Sequence, residues 1–262
     1  MIIIDYKKIT NMGTRDKLST KDNFLSLIKM QTGFIDEWKN DIEKLKDSEK
    51  KGVQLYSLPN SEVIQNGYKE ILMYEYNNLL ATYSAGEDIN KILPMYKNII
   101  SLMEVAWEKE NGYVLLLGII SMGVMLGVDN ETFDKLIHIV KENNIKDSLI
   151  EYLIQYKEPN WVRETNHFYF NIPYKKIQCI LEIYQSNKEE AILRIKKYLT
   201  KEWYRGHSDC GWYNIHKINI YAYSGYWSFE SGALVKILGL DDSSLKDCPY
   251  YPYDMVHWLD NK

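Results

Sequence analysis

Four side chains in one short stretch could do chemistry. His207, Asp209 and Cys210 lie within four positions of one another, and His216 follows six residues after Cys210. Imidazole nitrogen, carboxylate oxygen and thiolate sulfur are all metal ligands, so a metal-dependent hydrolase using His207, Asp209 and His216 is one reading. A thiol beside a base is another, with Cys210 activated by His216 or His257. Neither arrangement has a recognised spacing. The chain contains no His-Glu-x-x-His, no paired Cys-x-x-Cys, no phosphate loop, no Rossmann glycine pattern and no Gly-x-Ser-x-Gly elbow. The stretch therefore reads as a surface loop beside a buried histidine. The expectation is a protein that is not an enzyme, with no catalytic, metal or cofactor residues and with partner-binding residues unassigned.

Further along, Glu230 sits one turn after Tyr226 and Trp227 on an otherwise apolar helix. A carboxylate there must be hydrogen-bonded by a tyrosine hydroxyl, paired with a basic side chain, or aimed at a partner. Asp241 and Asp242 read as helix caps, with an acidic contact to a basic partner as the alternative. Tyr221, Tyr223, Tyr226, Trp227 and Phe229, followed by Tyr250, Tyr251 and Tyr253, read as core. Pro249 and Pro252 predict an extended tail that clasps the preceding helix.

The elements that must carry these residues are helical. A first helix is expected from Asp22 to Lys50, capped by Ser19 or Thr20, weakened at Gly33 and stopped at Gly52. A second runs from Ser61 to Tyr83, and a third, capped by Asp88, from Ile89 to Trp107 with Pro94 in its first turns. Asn111 and Gly112 signal a turn before an apolar helix from Tyr113 to Val128. Asp129 and Asp147 can cap a fifth and a sixth helix, the latter reaching Tyr156. A loop from Lys157 to Asn171 leads to a helix opening at Pro173, and Asn187 caps an eighth to Trp203. After a loop from Arg205 to Asn214, helical pieces follow from His216 to Tyr223 and from Tyr226 to Leu238. Asp242 caps a last turn. The single strand candidate, Tyr169 to Ile172, is isolated. The fold class is all-α: stacked antiparallel helical hairpins in an N-terminal domain over 1–127 and a C-terminal domain over 128–262.

Composition narrows the function classes. The chain has 262 residues, 45% hydrophobic and 26% charged, which suits a soluble globular protein able to bury its own core. The formal charge of −4 argues against a nucleic-acid binder. Splitting after Val128 leaves 15 basic and 17 acidic residues before and 17 and 19 after, so neither half is polarised. Three widely spaced cysteines make no disulfide framework, and the N-terminus lacks a signal-peptide layout, so a cytoplasmic location is expected. The apolar run from Tyr113 to Val128 is too short to span a membrane. The 22 tyrosines and 7 tryptophans suit cores and protein interfaces alike.

Taken in order, the aromatic, glycine and proline positions from Tyr223 to Ala233, Leu240 to Leu245 and Pro249 to Asp254 resemble the C-terminal domain of the PoNi proteins, bacterial immunity proteins against PoNe-type DNase toxins. The resemblance covers roughly Asn130 to Asp254. Tyr83 to Ile89 is the best piece of a looser N-terminal likeness. Cys248 stands where that family more often has a polar residue or histidine. The resemblance implies an all-helical cytoplasmic protein that binds and inhibits a cognate DNase toxin without turnover. A helical interaction module with a different toxin or a regulatory partner is the rival. Acidic groups that could meet a basic toxin are Asp36, Glu37, Asp41 and Glu43, and Glu87 with Asp88, although such residues usually form solvated helix faces.

Overall fold

The computed structural model describes residues 13–260, which are helices, turns and loops with no strand among them. Eleven α-helices follow in order among the described residues: α1 (Lys21–Lys50), α2 (Asn60–Ser84), α3 (Ile89–Ala106), α4 (Lys109–Leu126), α5 (Asn130–Glu142), α6 (Ser148–Lys157), α7 (Lys176–Tyr184), α8 (Lys188–Lys197), α9 (Ile215–Ile218), α10 (Phe229–Leu238) and α11 (Tyr253–Val256). Backbone contacts group them into two units. Unit 1 holds residues 13–110 with Asn214–Tyr226, and unit 2 holds Asn111–Tyr213 with 227–260.

Caps explain most of the boundaries. The Thr20 side chain accepts from the Asn23 N–H, and those of Asp88, Asp129 and Asn187 do the same for Asn90, Thr132 and Glu190. Each occupies one of the orphan amides that a helix start exposes. At the end of α1, Gly52 takes φ +69°, its N–H bonds Glu49 and that of Val53 bonds Ser48. This is the left-handed closure that glycine permits. Gly33 does not interrupt the helix.

In unit 1, α1 lies along α2, and α2 lies against α3. Ile35, Ile42 and Ile71 are buried together, with Trp38, Ile64, Tyr68, Tyr74 and Leu102 against them. Gly67 makes this approach possible, since a Cβ there would sit 2.9 Å from the Trp38 ring. In unit 2 the apolar α4 is buried along most of its length, as are Phe133, Leu136, Ile150, Leu153, Ile195, Tyr198, Phe229 and Leu234.

Several expectations need correction. Asn111 and Gly112 lie inside α4 rather than in a turn. A first helical turn needs no intrahelical partner for its N–H groups, so a glycine there costs little. Tyr169 to Ile172 forms no strand, because the Tyr169 N–H is taken by the Asp147 carboxylate at 2.7 Å. Helix α7 starts at Lys176, three residues after Pro173. The expected helix to Trp203 widens into a π turn over Tyr198–Trp203. The helical piece expected from Tyr226 begins only at Phe229, since Gly225 takes φ +118° and the Tyr226 N–H bonds a side chain outside the helix. The tail is not extended throughout. Tyr253–Val256 forms a helical turn that buries Met255 and Val256, and Gly232 leaves room for Val256 and Pro252.

Candidate functional site

The residues first considered for chemistry are built into the scaffold. His207 ends a 3-10 turn (Arg205–His207) and is buried. Its Nδ1 lies 2.7 Å from the Trp203 carbonyl and its Nε2 lies 2.8 Å from the Tyr174 hydroxyl. A carbonyl only accepts, so Nδ1 carries the proton and Nε2 accepts from Tyr174, leaving no lone pair for a metal. Burial pushes the imidazole down to about 4, so it is neutral at pH 7. Burial first, and Asp209 second, push the Cys210 thiol up to about 11, the reverse of an activated nucleophile. Asp209 itself is exposed. His216 belongs to unit 1, where its Nδ1 meets the Tyr226 hydroxyl at 2.9 Å and burial lowers its pKa. Both ring nitrogens of His257 face carboxylates, Asp242 at 2.9 Å and Asp260 at 2.5 Å. Among the described residues no three His, Cys, Asp or Glu side chains form a metal-holding group.

Unit 1 contains a buried polar centre that sequence reading missed. The Asp16 carboxylate accepts from the Tyr223 hydroxyl at 2.5 Å, the Leu18 N–H at 2.7 Å and the Tyr226 N–H at 3.3 Å. Burial raises its pKa, and those three donors work against the rise. Beside it, Arg15 donates to the Tyr83 and Glu87 carbonyls and lies over the Tyr83 ring, while the Ser84 hydroxyl donates to the Ser224 carbonyl. Gly86, at φ +81°, has the Gly13 carbonyl where a Cβ would stand. Two stretches singled out in the sequence, around Tyr83 to Ile89 and around Tyr223 to Tyr226, are thus tied to residues 13–18. Nothing in that short segment has a period, and Asp16 stands between Arg15 and Lys17, where a carboxylate looks like an ordinary solvated charge.

Unit 2 has three comparable centres. Glu230 is fully buried and accepts from the Ser228 hydroxyl at 2.7 Å and the Tyr198 hydroxyl at 3.1 Å, as the tyrosine-paired reading expects. Burial pushes its carboxyl up to about 7 against the pull of those hydroxyls. Asp147 caps α6 through the Leu149 and Ile150 N–H groups, both at 2.9 Å, and also accepts from the Tyr113 hydroxyl and the Tyr169 N–H. Asp242 is not a side-chain cap. It is buried and binds the Tyr251 hydroxyl at 2.6 Å and His257, while exposed Asp241 accepts from the Ser243 N–H instead.

The aromatic residues divide accordingly. Tyr223, Tyr226, Phe229 and Tyr251 are core, and Trp227, Tyr250 and Tyr253 are half-buried. Tyr221 is 67% exposed, which corrects its assignment to the core. Tyr250 has φ +67° and stacks on Tyr204 with Trp203 alongside.

On the surface, half of the candidate acidic groups have local cations. Asp41 pairs with Lys44, Glu43 with Lys46, and Glu87 with Lys21 and Lys91. Hydrogen bonds from those two lysines hold Glu87 down at about 2. Asp88 is used as the α3 cap, while Asp36 and Glu37 are exposed and have no ion pair among the described residues. A cleft of about 550 Å³ in unit 2 is lined by Gln155 and the loop from Pro159 to Asn166. Its Glu164 pairs with Lys146, and the Glu151 carboxylate accepts the Glu164 and Thr165 N–H groups. Its lining includes no histidine or cysteine.

Comparison with known proteins agrees with this scaffold. Among solved structures, protein PA2201 from Pseudomonas aeruginosa shares the fold, at a TM-score of 0.55 and 18% identity over 85% of this chain and 87% of that one. No curated protein matches. Residues 15–138 match the family described as PoNe immunity protein (PoNi), N-terminal, and residues 145–255 match PoNe immunity proteins (PoNi), C-terminal. With both matches in order along one all-α chain, this protein belongs to the PoNi family of PoNe immunity proteins.

Proposed function

We propose that this chain neutralises a cognate PoNe-type DNase by tight association, without chemical turnover and without a cofactor. The carrying observation is the match of both family regions to 15–138 and 145–255. The side-chain geometry supports it. Every histidine first considered for catalysis has a ring nitrogen held by an internal hydrogen bond, and the Cys210 thiol is raised rather than activated. The buried carboxylates Asp16, Asp147, Glu230 and Asp242 hold the scaffold together, so the toxin is met by other residues, on exposed helix faces. A nuclease must bind a polyanion and therefore presents a basic surface. An inhibitor that meets this surface with carboxylates gains encounter rate, and buried aromatic contacts slow its release.

The test is co-expression in bacteria with the PoNe-type nuclease encoded beside this chain. The proposal expects restored growth and a complex that co-purifies. Growth arrest despite soluble expression of both chains contradicts it.

A further inference from the structure

The α1 and α2 helices of unit 1 share an outer face whose composition is unlike the solvated sides around it. On α1, Met30, Phe34, Glu37, Asp41 and Lys44 follow one another at intervals of three or four residues, which places them on one stripe. On α2, Glu62, Asn66, Glu70 and Met73 do the same. The two stripes adjoin, since the Phe34 ring lies 5.6 Å from that of Tyr74, the residue next to Met73 on α2. Met30, Phe34 and Met73 are 46%, 39% and 46% exposed. At its far end the stripe reaches the α1–α2 connection. Lys44, paired with Asp41 at 2.8 Å, is within electrostatic reach of Tyr56. That connection carries exposed Val53, Leu55, Tyr56 and Leu58. It is held by the Asn60 side chain, which bonds the Val53 carbonyl and the Leu55 N–H.

Methionine and aromatic side chains ringed by charge are the make-up of a protein interface, where the apolar centre is desolvated and the rim is polar. The charge on this face is one-sided. Asp41 and Lys44 cancel, while Glu37, Glu62 and Glu70 have no ion pair among the described residues. From Met30 to Lys44 the stripe extends about 20 Å along the helix axis.

We propose that this face receives the basic, phosphate-binding surface of the DNase, with Phe34 and Met73 entering the desolvated centre and Glu37, Glu62 and Glu70 meeting its cations. The inference rests on the immunity reading and assigns a surface to it.

Binding of the full chain to a catalytically inactive form of the neighbouring PoNe-type nuclease tests both, and distinguishes them. The wild-type chain must bind first, and if it does not, the immunity reading fails along with the surface. Given that binding, Phe34→Ser with Met73→Ser should weaken the complex by about tenfold or more, chiefly through faster release. Glu37→Lys with Glu62→Lys should slow association and reduce its salt dependence. Neither glutamate has an ion pair to lose, so this pair remains informative if the apolar variant loses thermal stability. Leu193→Ser, at an exposed position on α8, should bind as wild type. Affinity within twofold of wild type for both double variants, with unchanged melting temperatures, overturns the assignment while leaving the immunity reading intact.

Discussion

At the residue scale, burial decides what each ionisable group does. Glu230 illustrates this. Its carboxyl is raised to about 7 because burial disfavours the charged form more than the Ser228 and Tyr198 hydroxyls favour it. The folded chain therefore keeps a proton that the unfolded chain releases in the ordinary carboxylate range. Stability is highest below that range and falls as pH rises through about 7, by about 3 kcal/mol for a shift of this size. Thermal unfolding should give a lower Tm at pH 8 than at pH 5.5, with the difference reduced in Glu230→Gln. An equal pH slope in the variant would show that Glu230 is ionised in the fold. His257 contributes in the same sense. Burial lowers its pKa, but hydrogen bonds to Asp260 and Asp242 outweigh that and raise it overall. Its stabilisation is present at low pH and is lost as pH rises through the raised value, which is why the comparison must be made between wild type and Glu230→Gln. The sequence showed that Glu230 needed a partner, because a carboxylate among apolar helix positions always does. It did not show Asp16, whose donors, Tyr223 and Tyr226, are some two hundred positions away.

At the element scale, short polar side chains fix where helices begin. Asp129 and Asp147 both read as caps in the sequence, and both are caps. They differ in burial. Asp129 is exposed and accepts the Thr132 N–H, whereas buried Asp147 accepts two N–H groups from α6 and two more groups from elsewhere in unit 2. Asp129→Ala should cost about 1 kcal/mol. Asp147→Ala should cost about 3 kcal/mol, because it leaves several buried donors unsatisfied. Urea denaturation of the two variants checks this, and equal losses would mean that the Tyr113 and Tyr169 contacts contribute nothing. The caps at Thr20, Asp88, Asp129, Asp147 and Asn187 and the stop at Gly52 were legible because they depend on neighbours within three or four residues. The missing strand at Tyr169 was not, because its N–H is taken by the side chain of Asp147, 22 positions earlier.

At the scale of the whole molecule, the all-α class was legible from helical periodicity alone, and membership of the PoNi family accounts for the order of aromatic and glycine positions. No described helix is long and apolar enough to cross a membrane. The division of the sequence at 127/128 stays a proposal about modules. Contacts group Asn214–Tyr226 with residues 13–110, a return of the chain that no local pattern announces. The core on Phe24, Leu27, Ile35 and Ile42 sets the buried side of α1 and leaves Met30 and Phe34 on its outer face.

The central claim is inhibition by binding rather than by turnover. Its most direct measurement is a titration of plasmid cleavage by a fixed amount of the purified PoNe-type nuclease with increasing amounts of this chain. Cleavage should fall linearly and end at one equivalent, with active nuclease recovered after the complex is dissociated. Full loss of cleavage at a small fraction of an equivalent, with the nuclease permanently altered, would contradict the account and show that the chain acts as a catalyst.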